Sequence, residues 1–65
     1  MNDMPDLRDM QQLATDVFGK REAADWIQRP HPMLEGKTPS DAAATSLGLQ
    51  RVMEILVAIK YGGVV

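Results

Sequence analysis

The chain has 65 residues, 45% hydrophobic and 25% charged, with a formal net charge of −2, one histidine and no cysteine. A domain of this size buries only roughly 60% of the surface its unfolded chain exposes, so one small domain is the limit and outside support is expected. Without cysteine, disulfides and thiolate metal sites are excluded and a partner chain remains, while a pI near 5.1 argues against a dedicated nucleic-acid binder.

The N-terminus, Met-Asn-Asp-Met-Pro-Asp, has no basic region followed by an apolar run, so it does not read as a signal peptide. Leu7, Met10, Leu13, Ala14, Val17 and Phe18 then recur at helical spacing. Pro5 suits a first helical turn, and Asp6 and Asp9 favour its positive end. Gly19 reads as the residue that closes this helix, which is expected over about 6–18.

A second helix is expected over 20–28, with Ala23, Ala24, Trp26 and Ile27 as its apolar contributors. Arg29-Pro30 ends it, because the residue before a proline is pushed out of the α region. His31 also precedes a proline, so 29–32 should be extended, and Gly36 permits a tight turn. Thr38-Pro39-Ser40-Asp41 signals a new helix: threonine caps, proline takes the first turn, and Asp41 completes a short capping box.

That third helix is expected over 39–47, with Gly48 breaking or bending it. Leu49, Val52, Met53, Leu56 and Ile59 line one face of a fourth helix over 49–61. Its apolar run, Ile55 to Ile59, falls far short of the ~20 residues that span a bilayer, so a cytoplasmic protein is expected. Gly62-Gly63 ends the helix and leaves an apolar pair, Val64-Val65. The expectation is all-α: a bundle of four short helices in a single domain over 1–65, with 62–65 as a flexible C-terminal tail.

The most unusual residues fall between the second and third helices, in the pattern W-x3-P-x3-L-x-G-x-T-P formed by Trp26, Pro30, Leu34, Gly36, Thr38 and Pro39. His31 has no His, Cys or paired carboxylate at ligand spacing, so it reads as a surface or contact residue rather than a metal ligand or acid–base catalyst. No nucleophile elbow, phosphate-binding glycine loop or H-E-x-x-H pattern occurs, and the chain is too short to build a substrate pocket alone. An enzyme is not expected.

Trp26 fits two roles, anchor of a small core or interface hot spot. Met33, beside Leu34 in the loop, is hard to bury and suits an adaptable contact surface. Trp26, Arg29, His31 and Met33 are therefore the partner-contact candidates of this stretch. The third and fourth helices invite comparison with a DNA-reading helix-turn-helix, but Leu49, Val52 and Met53 are apolar there and Arg51 alone is positive. The tail is open between a frayed terminus and an insertion peptide with a flexible joint, an apolar tip and the Val65 carboxylate.

Set together, Trp26-Ile27, Pro30, Leu34, Gly36, Thr38-Pro39, Thr45, Gly48, Val52, Leu56, Ile59 and Gly62 resemble, without a gap, the toxin-binding domain shared by Xre, MbcA and ParS antitoxins. The resemblance covers about Val17 to Gly62. It implies a protein that binds and neutralises a RES-domain toxin, an ADP-ribosyltransferase-like protein that uses NAD, by covering its active-site cleft. It also implies that Lys60, Tyr61, Gly62, Gly63, Val64 and Val65 form the blocking segment, and that the NAD chemistry is the partner's, so no cofactor is expected here.

The sequence departs from the family pattern in three places. About sixteen residues precede the matched stretch, too few for the helix-turn-helix domain that many such antitoxins carry. Ser40, Ala42, Ala43 and Ala44 stand in a usually leucine-rich helix, and His31 stands where asparagine is frequent. A small transcription-associated DNA-binding module and a homo-oligomeric structural module are the alternative readings.

Overall fold

A computed structural model describes residues 6–62. The first helix, α1, spans Leu7–Phe18. Asp6 caps it, its carboxylate accepting the Asp9 N–H at 3.0 Å while the Asp9 carboxylate accepts the Asp6 N–H at 3.1 Å. Two orphan donors are thus satisfied by two carboxylates at the positive end of the helix, a cap worth about 1 kcal/mol. Pro5, expected in the first turn, lies outside the described residues.

Met10 and Ala14 turn from α1 into the core, with Leu13, Val17 and Phe18 half-buried beside them, while Leu7 stays half exposed. Gly19 ends α1 by donating its N–H to the Thr15 carbonyl at 2.8 Å. It also starts α2, Lys20–Ile27, by accepting from Ala23 at 2.9 Å. The two helices share one pivot residue and pack on each other through Ala23, Trp26 and Ile27. Ala24, an expected apolar contact, is instead exposed.

Gln28 closes α2 one residue earlier than expected. His31 is extended at φ −124° and ψ 131°, as a residue before proline must be. Pro32 does not continue the extended run. Pro32–Leu34 forms a single 3-10 turn, and Glu35 at φ 59° and Gly36 at φ +82° carry the chain back. The His31 carbonyl accepts from both Leu34 at 3.0 Å and Gly36 at 3.2 Å, and the His31 N–H donates to the Lys37 carbonyl at 3.0 Å. The loop is a closed hydrogen-bonded hoop whose one buried side chain, Leu34, plugs it into the core.

Helix α3, Pro39–Ala42, is one turn long, not the nine residues expected over 39–47. Thr38 caps it through the Asp41 N–H at 3.0 Å, the forward half of the expected box. The chain then turns through Ala43–Thr45, and Thr45 caps a new helix by accepting the Gly48 N–H at 3.0 Å. Helix α4 therefore runs Ser46–Gly62. Gly48 does not break a helix; it lies in the first turn of one.

The reason for that glycine is steric. A Cβ there would fall directly on the Ala42 carbonyl oxygen, 2.7 Å from the carbonyl carbon and 3.0 Å from Thr45 Oγ1. The Pro32–Ala42 segment and α4 meet at a bend of 114°, and only a bare Cα lets the two backbones pass so closely. At the other end, Gly62, assigned to the tail from sequence, is the last residue of α4, because glycine weakens a helix without stopping one that is already packed.

Leu49, Val52, Ile55 and Leu56 are the buried residues of α4, with Met53 and Ile59 half-buried. They meet Met10 and Ala14 of α1, Leu34 of the loop, Pro39 of α3 and Ala43. Pro39 is among the most fully buried side chains, so one residue both starts α3 and fills the core. Among the described residues there is no strand, and no buried polar or charged side chain.

Candidate protein-binding surface

The loop end of the molecule gathers the first candidates. Trp26, in the last turn of α2, is half-buried, its ring 5.4 Å from that of Phe18 and tilted by 36°. The His31 ring meets it nearly edge-on at 6.0 Å and 68°. His31 Nδ1 accepts the Met33 N–H at 3.1 Å, which caps the 3-10 turn and leaves Nε2 as the outer nitrogen. That turn holds Met33 outward at 57% exposure. Trp26, His31 and Met33 are thus brought together by packing and one hydrogen bond.

Arg29 stands apart from them. Its guanidinium pairs with Asp25 at 2.8 Å, one turn back, with both side chains largely in water. Such a pair adds little stability, although it orients both groups beside an open groove of about 390 Å3 lined by Phe18, Glu22, Asp25, Trp26 and Arg29. Trp26 therefore both packs against the core and forms one wall of a surface groove.

The second group lies at the end of α4. Among the described residues Tyr61 is the most exposed large hydrophobic one at 78%, and Lys60 places its ammonium 5.5 Å from the centre of the Tyr61 ring. Gly62 follows in the same helix, exposed. Gly63, Val64 and Val65, the remaining blocking-segment candidates, lie outside the described residues.

The fold sets the loop anchor and the helix end apart. Leu34 and Glu35 share a groove of about 280 Å3 with Leu47, Gly48 and Arg51 at the start of α4. Tyr61 is thirteen residues beyond Gly48, and at a rise of ~1.5 Å per residue that places it about 20 Å further along the helix. Leu34, Gly36, Thr38 and Pro39 are structural parts of the corner that holds α4. The motif that is most unusual in sequence builds this corner and brings Trp26, His31 and Met33 together beside it.

Two exposed apolar residues escape the sequence reading, Leu47 at 65% and Val57 at 44%. Both lie with Tyr61 on the outward side of α4, where Gln50, Arg51, Glu54 and Ala58 are also exposed. Helical spacing places these positions on one side, opposite the inward stripe. That stripe was itself incomplete, because Ile55 is buried and went unassigned.

The 114° bend between the Pro32–Ala42 segment and α4 is in the range of a helix-turn-helix. Its second helix nevertheless turns Glu54, Leu47 and Val57 outward with a single arginine, a poor match to a phosphate backbone. Among the described residues no three His, Cys, Asp or Glu side chains form a metal-holding group. No single described helix is long and apolar enough to cross a membrane.

Comparison with known proteins gives a family. The family described as "Antitoxin Xre/MbcA/ParS C-terminal toxin-binding domain" matches residues 13–62. A curated protein named alanine racemase, from Janthinobacterium sp. (strain Marseille), is 40% identical over 53 residues, covering 82% of this chain. The chain spans only 14% of that protein's length. No solved structure matches the chain.

Proposed function

The chain belongs to the Xre/MbcA/ParS C-terminal toxin-binding family, and from that premise we propose that it is an antitoxin module that neutralises a RES-type toxin. On this reading the toxin is ADP-ribosyltransferase-like and uses NAD, and the antitoxin acts by covering its active-site cleft. The observation that carries the reading is the family match running through the last turn of α4, where Tyr61 stands 78% exposed.

The contact has two parts. Lys60, Tyr61 and Gly62, continued by Gly63, Val64 and Val65, form the segment that enters the cleft. Trp26, Arg29, His31 and Met33 form a flanking contact. A tyrosine at a helix end supplies a large rigid contact at low entropic cost. The module performs no catalysis and holds no cofactor. The racemase activity in the name of the curated relative stays with that protein, of which this segment is a small part.

Co-expression with a RES-domain protein encoded beside it tests the reading, with a stable complex on co-purification as the expected result. Failure of the pair to associate would refute it. Truncation after Gly62 keeps α4 and removes Gly63–Val65. It should leave a complex that no longer protects cells from the toxin, and full protection by the shortened chain would place the blocking group elsewhere.

A further inference from the structure

The half-buried His31 makes one contact that the toxin reading does not use. Its Nδ1 accepts the Met33 N–H at 3.1 Å, and that N–H has no backbone acceptor among the described residues. Pro32 brings no N–H, and the donors that follow, from Leu34 and Glu35, are taken by the His31 and Pro32 carbonyls. The imidazole is therefore what closes the start of the turn. An accepting Nδ1 requires the neutral ring with its proton on Nε2, because a protonated imidazole donates from both nitrogens and accepts at neither.

We propose that His31 is a proton-operated latch on Met33, closed while its ring is neutral and open once the ring is protonated. The step is one proton taken from solvent onto Nδ1, after which two N–H donors face each other and the cap is lost. The hoop itself stays closed, since the His31 N–H donates to the Lys37 carbonyl at 3.0 Å and its carbonyl accepts from Leu34 and Gly36. What the proton frees is the Pro32–Met33 peptide, and with it the Met33 side chain. That side chain is 57% exposed and lies outside the packed core, so the turn alone holds it in place. Trp26, with its ring centre 6.0 Å from that of His31, remains a partner for the charged ring, because an indole attracts a cation at that range.

The charged groups around the loop do not replace the lost bond. Glu22, Asp25 and Arg29 of the α2 end line the Trp26 groove, and Asp25 and Arg29 pair with each other at 2.8 Å. Glu35 and Lys37 of the loop, Asp41 of α3 and Arg51 of α4 line the groove on the Leu34 side. Phe18 is the contribution of α1 beside Trp26, and it carries no charge. Among the described residues no carboxylate forms an ion pair with His31. The latch deepens the proposed toxin contact, which includes His31 and Met33, and rests on it for its use: acid loosens the flanking part of the contact while the helix end stays as it is.

Nuclear magnetic resonance of the full chain, titrated from about pH 8 to about pH 5 where histidines take up their proton, reads the latch without any partner. The Met33 amide should shift along the same curve as the His31 ring protons. His31→Asn offers an amide oxygen to the same N–H and does not titrate, so its Met33 amide should stay still across the range. A Met33 amide that ignores the His31 curve overturns the proposal, and so does one that moves equally in the Asn variant. With the RES-type toxin, the same fall in pH should weaken wild-type binding about fivefold more than it weakens His31→Asn, the effect of one lost hydrogen bond. Equal losses overturn the use of the latch in toxin binding. Absence of binding at every pH refutes the toxin reading instead, and the amide titration still decides the latch.

Discussion

The loop from Trp26 to Pro39 and the outward side of α4 invert each other. The loop holds the rare residues, and several of them serve the fold: Leu34 and Pro39 are buried, Thr38 caps α3, and Gly36 carries a positive φ. The α4 face is ordinary in composition, yet it presents Leu47, Val57 and Tyr61 to solvent. Rarity in a sequence reports positions where the backbone or the core accepts few alternatives. A binding surface accepts many side chains and so leaves a fainter mark.

If that contrast holds, the most damaging changes belong to the corner and not to the exposed face. Gly48→Ala should be the most severe, because its Cβ would occupy the place of the Ala42 carbonyl, a backbone atom that cannot rotate away. Overpacking of this kind costs about 3 kcal/mol or more, a large share of the stability of so small a domain. The far-ultraviolet circular dichroism of the variant should show an unfolded or strongly destabilised chain at 25 °C. A cooperative melt near that of the wild type would mean that the α3–α4 angle is soft.

Leu34→Ala comes next. Leu34 is 5% exposed and is the side chain that ties the hydrogen-bonded loop to α4. Truncating a buried leucine costs about 2–5 kcal/mol, depending on how far the site collapses. Urea denaturation should give a loss in this range. A loss below about 1 kcal/mol would mean that backbone hydrogen bonds hold the loop without its plug.

The all-α class, α1 and the inward face of α4 were legible because apolar residues at helical spacing leave few alternatives. The register of the α3–α4 corner was not. Gly48 suggested a helix break by composition, but its role depends on the Ala42 carbonyl arriving from another element, which no local pattern encodes. Thr45 stands in the sequence only as one position of the family pattern; its role as a helix cap depends on its hydroxyl accepting the Gly48 N–H. Met33 was legible as exposed because it sits in a proline-bounded turn. Leu47 and Val57 were not, because an apolar residue on a short helix is assigned to the core by default.

Tyr61→Ala separates the two regions in the opposite sense. Its side chain is mostly in water, so the unfolding free energy should stay within the scatter expected of a surface change, about ±0.5 kcal/mol, read by urea denaturation. On the proposed function, binding to the toxin should weaken by about 2 kcal/mol or more, as for an aromatic hot spot, which calorimetry would read as roughly a thirtyfold rise in Kd. Unchanged affinity would remove Tyr61 from the contact and leave the tail and the Trp26 side to carry it.

Glu35→Gly gives the smallest effect and tests the loop on its own terms. Glu35 holds φ 59° and ψ 34°, a left-handed conformation that costs a residue with a Cβ about 1–2 kcal/mol. Glycine removes that cost, while the greater freedom it gives the unfolded chain takes back about 0.5–1 kcal/mol. The net should be a gain of about 0.5 kcal/mol, or a rise in Tm of about 2–4 °C for a domain of this size. A fall in Tm would mean that the Glu35 side chain offsets its backbone strain through the groove it shares with Lys37 and Arg51. In that case the loop would depend on side-chain charge as well as on backbone closure, and the contrast between a structural loop and an interactive helix face would narrow at this residue.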